Sequence, residues 1–88
     1  MLGKELKLRL EEEGYEGTVV FEDYDYASAF VGITDDGRAV YEYGKMIDYL
    51  MEKEGWDYET AAEWIDFNTV RALEYQGKNA PIIIYGIE

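Results

Sequence analysis

Apolar residues recur every four positions at the start of the chain, at Leu2, Leu6 and Leu10. With strong helix formers between them, this spacing predicts an amphipathic helix over residues 3–13. Leu6, Leu8 and Leu10 also alternate as a strand would, but Glu11 to Glu13 extend the helical run and Gly14 supplies a stop. Thr18 to Glu22 is a short β-prone run. Ser28 to Thr34 and Arg38 to Tyr43 then flank Asp35-Asp36-Gly37. An Asp-Gly pair between such segments predicts a hairpin, with Asp36 and Gly37 central in the turn, because glycine accepts the positive φ required there. Phe30, Val31, Ile33, Val40 and Tyr41 supply both faces of the paired strands.

The rhythm changes to a helical one at about Lys45. Met46 with Leu50, and Ile47 with Met51, form a wide apolar stripe that runs to Glu54. Gly55 stops this second helix and Trp56 is placed to pack back over its last turn. Asp57 is the expected cap of a third helix, with Glu59 near the positive end of its dipole. Tyr58, Ala61, Ala62 and Ile65 fall on one face. Asn68 is expected to end it, and Thr69 to cap a further short turn from Val70 to Leu73. The run Pro81-Ile82-Ile83-Ile84-Tyr85 is apolar enough to predict an interior strand. The order is therefore α-β-β-β-α-α-β. It implies an α+β fold with a small, mainly antiparallel sheet and helices packed mainly on one face, in a single domain spanning residues 1–88.

Composition narrows the chemistry. There is no cysteine and no histidine, so thiolate chemistry and the commonest general base and metal ligand are excluded. The net charge is −12, from 20 acidic and 8 basic residues. Nine acidic residues and no basic one lie between positions 10 and 37. Phosphate contacts require Lys and Arg, so direct nucleic-acid binding and anionic membranes are not expected. The start, MLGKELKLRLEEE, lacks a signal-peptide pattern, and the apolar run from Ala80 to Tyr85 is too short to span a bilayer. A cytoplasmic location is expected.

Three stretches, SAFVGITDDGRAVYEY, EWIDFNTVRAL and APIIIY, together resemble a group of small acidic uncharacterised proteins of bacterial and phage origin. The resemblance implies a compact domain in a mobile-element setting and no activity. Where such sequences often carry an acidic residue after the second tyrosine of the hairpin, this one has Gly44. That implies a looser start to the second helix, or a different cap.

No reaction is predicted. Ser28 sits in ASAF, outside a nucleophile elbow. The glycines form no phosphate-binding pattern, so no cofactor is expected. Glu22, Asp23 and Asp25 form a dense acidic group, but the loop lacks the glycine and the terminal glutamate of a calcium-binding hand, so no metal is expected either. Tyrosine is the unusual component: nine are present, more than so small a core holds. Tyrosine among carboxylates suits an interface with a basic protein. The candidate partner-binding residues are Glu22, Asp23, Tyr24, Asp25 and Tyr26, with Glu59, Glu63 and Asp66 of the third helix. This predicts a non-enzymatic protein-binding module. Its sharpest form is a nucleic-acid mimic, an inhibitor of the anti-CRISPR or another phage counter-defence type, that occupies the phosphate groove of a nuclease or other nucleic-acid-binding enzyme. The alternative is a host regulatory or accessory domain whose acidic surface serves solubility.

Overall fold

Phe21, Tyr26, Ala29, Ala39, Tyr41, Met46, Ile47, Leu50, Ala61 and Ile65 close around one another to form the core. They come from the second strand of the hairpin, the helices that follow it and the segment before it. The computed structural model describes residues 3–15, 17–21, 24 and 26–87, with residues 3–5 described by their backbone alone. Helix α1 is Gly3–Glu12, and it buries Leu6 and Leu10 while leaving Leu8 exposed, as four-residue periodicity requires.

The sheet has three strands: β1 (Phe30–Ile33), β2 (Ala39–Glu42) and β3 (Ile82–Ile84). The first two pair antiparallel, with Phe30 opposite Tyr41 and Ile33 opposite Ala39, and a bulge falls between Phe30 and Gly32. The connection differs from the expected two-residue turn. Gly37 N–H donates to the Thr34 carbonyl at 2.9 Å, and Thr34 N–H donates to the Arg38 carbonyl at 2.8 Å. Asp35 and Asp36 are thus the central residues, and Gly37 follows them at φ 83°. This is the three-residue hairpin loop, in which the glycine takes the left-handed position after the turn.

Two further expectations fail. Thr18 to Phe21 form no strand: Thr18, Val19 and Val20 are half-buried and irregular, and Phe21 is buried. β-propensity measures fit to a half-buried surface, and these side chains find one in the core and beside the third helix instead of in a ladder. The C-terminal strand is not interior. The sheet order is β1-β2-β3, and β3 lies at an edge, parallel to β2. The sheet is mixed. Ala39 and Tyr41 are buried while Val40 and Glu42 are half-exposed. Ile83, in register with Tyr41, packs against the core, and Ile84, in register with Glu42, is exposed. An all-apolar strand therefore divides its side chains between core and surface.

Helix α2 runs from Tyr43 to Glu54, two residues earlier than expected. Glu42 caps it, accepting from Lys45 N–H at 2.7 Å and Gly44 N–H at 3.0 Å. A Cβ at position 44 would lie 3.2 Å from that carboxylate, so glycine lets the cap close. Of the two implications of Gly44, the different cap is the one observed. Helix α3 (Tyr58–Trp64) packs against α2 and is capped as expected, by Asp57 accepting from Thr60 N–H at 2.8 Å. It does not end at Asn68. The chain widens into a π-helical turn over Ile65–Val70 and stays helical to Tyr75. Thr69 is buried inside this turn and caps nothing.

Candidate protein-binding surface

Glu59 and Glu63 are one turn apart on α3, and both are exposed on the side away from the buried Ala61 and Ile65. Asp66 follows in the π-helical turn, also exposed. Its Oδ1 accepts the Tyr43 hydroxyl at 2.9 Å, and the Tyr43 ring packs on Tyr85 with centroids 4.8 Å apart. Burial, the hydrogen bond to Asp66 and the Asp66 charge together push the Tyr43 phenol up to about 12.

The tyrosines of the EDYDY segment part company. Tyr24 is half-buried, its ring edge-on to Trp64 with centroids 4.9 Å apart. Its hydroxyl donates to Glu54 Oε1 at 2.9 Å, and this bond is the main reason its phenol is raised above the ordinary value. Lys53 Nζ lies over both the Tyr24 and Tyr49 rings, at 5.7 and 5.5 Å. Tyr24 thus lies against α3 through Trp64, the residue that follows Glu63. Tyr26 is a correction. It is 1% exposed, belongs to the core, and places its hydroxyl 3.2 Å from Thr69 Oγ1. Its left-handed backbone, at φ 47°, turns the ring inward, and an aromatic ring with a buried hydroxyl partner is an anchor of the fold. Glu22, Asp23 and Asp25 lie outside the described residues.

The sequence did not single out Tyr43, Glu54 or Tyr85 as parts of this surface. Their partners are distant in the chain, 23 residues for Tyr43 with Asp66 and 30 for Tyr24 with Glu54. A phenol donating to a carboxylate fixes its orientation and leaves acceptor sites for another donor. Part of the interleaving of tyrosine and acid is therefore internal: phenols aim carboxylates.

Beside Tyr24 and Trp64 a groove of about 580 Å³ opens, lined also by Val20, Phe21, Asn68 and Gln76. Asn68 donates its side-chain amide to the Trp64 carbonyl at 3.0 Å. With Lys7, Thr18 and Thr69, the lining offers ring faces, amides, hydroxyls and one ammonium group. Among the described residues no group of three or more acidic side chains is placed to hold a metal ion. Among them, too, no helix is long and apolar enough to cross a membrane. No family model, curated protein or solved structure matches the chain.

Proposed function

We propose that the chain is a small non-enzymatic binding module of the cytoplasm that docks through carboxylates on the basic groove of a nucleic-acid-handling protein, as phage counter-defence inhibitors do. The observation that carries this reading is the excess of exposed negative charge. Thirteen described acidic residues are exposed, and the described residues form one ion pair, Arg9 of α1 with Glu13 just beyond it, at 3.9 Å. Two carboxylates, Glu54 and Asp66, are held by tyrosine hydroxyls, which lowers the cost of ordering them against a guanidinium. The contact of Tyr24 with Trp64 supports a joint surface of the EDYDY segment and α3.

The test uses the immobilised protein and the heparin-binding fraction of a bacterial lysate. A bound protein should be released by added salt and displaced by duplex DNA. Reversing Glu59, Glu63 and Asp66 to lysine, or Glu22, Asp23 and Asp25 to lysine, should weaken the complex mainly through slower association. Retention of nothing, or retention indifferent to DNA and to both reversals, overturns the reading and leaves the charge to serve solubility.

A further inference from the structure

The two edges of the sheet differ. At one edge, β1 carries a bulge at Val31, and the Thr18 hydroxyl donates to the Gly37 carbonyl at the hairpin end, at 3.4 Å. Bulges are among the devices that keep an edge from pairing with another chain. At the other edge, β3 carries no bulge in its pairing with β2, and no lysine, glutamate or proline stands within Ile82–Ile84. Its outer row of backbone groups meets no other described strand. Ile84, Tyr85 and Ile87 are exposed beside it, Ile87 almost completely.

Strand backbone specifies the kind of occupant: another strand. Charge specifies which. Residues 79–87, NAPIIIYGI, contain no charged side chain. On the adjoining strand the carboxylate of Glu42, across from Ile84, is turned onto the backbone N–H groups of Lys45, Gly44 and Gly86. Two copies carrying −12 each repel over most of their surface, but residues 79–87 bring no charged side chain of their own to the contact. A two-fold axis also sets a strand against its own counterpart, so an isoleucine-rich strand meets an equally apolar one. We propose that the outer edge of β3 pairs antiparallel with β3 of a second copy, extending the three-stranded sheet across a homodimer.

This interface is distinct from the acidic surface and responds oppositely to salt. Added salt screens repulsion between the copies and strengthens the dimer, whereas it weakens docking on a basic partner. The test is sedimentation and light scattering of the intact chain across a hundredfold dilution, at low and moderate salt. It is paired with amide exchange at residues 82–86. The expected result is a reversible dimer, favoured by salt, with protection at 82–86 that rises with concentration. Ile84→Lys, which puts like charges across the pair, should weaken dimerisation several-fold. Val31→Lys on the opposite edge should leave it unchanged. Should Ile84→Lys fail to fold, concentration-dependent exchange of the unaltered chain decides alone. A monomer at every concentration, a dimer insensitive to Ile84→Lys, or a dimer broken by Val31→Lys overturns the proposal.

Discussion

Tyr43 shows how a single side chain acquires a duty that its neighbours in sequence do not announce. Its hydroxyl serves Asp66 and its ring packs at a tilt against Tyr85, and the phenol is pushed up to about 12. The folded state therefore holds this proton more tightly than the unfolded chain does. That contribution is complete below the ordinary tyrosine value of about 10 and is lost as pH rises through the folded value. Tyr43→Phe should flatten the alkaline fall of the thermal midpoint, followed by circular dichroism from about pH 9 to about pH 12. An unchanged alkaline limb would mean that Tyr43 titrates as an exposed phenol. At this scale the sequence is legible where spacing alone decides exposure, as at Glu59 and Glu63. It is not legible at Tyr26, whose partner Thr69 is 43 residues away and whose left-handed backbone is uncommon for tyrosine.

Among the elements, β3 separates two adjacent isoleucines by consequence. Ile83 packs on the core and Ile84 is 41% exposed. Ile83→Asp should destabilise by about 1–3 kcal/mol, because it sets an unpaired charge at a half-buried site against the core. Ile84→Asp should stay folded and cost little. Urea titration of both variants checks this, and equal losses would show that the strand does not divide its faces. Helices α1, α2 and α3 were legible because periodicity, Asp57 and Gly55 are local signals. The hairpin was legible in place, though its glycine sits one position later than a two-residue turn would have it. The edge position of β3 was not, since apolar composition does not distinguish a strand covered on both sides from one that faces the core once. Nor was the π-helical turn, where tertiary contact of Thr69 with Tyr26 overrides the stop expected at Asn68.

Across the whole molecule, charge acts mainly as self-repulsion. With a net charge of −12 and one ion pair among the described residues, screening should stabilise the fold. If salt relieves about 1 kcal/mol, the thermal midpoint should rise by roughly 4–8 °C for a domain of this size. A midpoint that falls with sodium chloride would mean that attraction between charges outweighs repulsion. The acidic surface was legible in kind but not in arrangement, because the phenol–carboxylate pairs that orient it join residues far apart in the chain. Glu42 concentrates that lesson in one group. Hydrogen bonds from Lys45 and Gly44, and a third from Gly86 at 3.3 Å, hold its carboxyl below the usual carboxylate range. A depressed value contributes stability above the ordinary one and loses it as pH falls. One carboxylate thus fastens the first turn of α2 to a backbone position 44 residues away. It works as an acid-sensitive latch: protonating it weakens its hold on the start of α2 and on the backbone at Gly86 together.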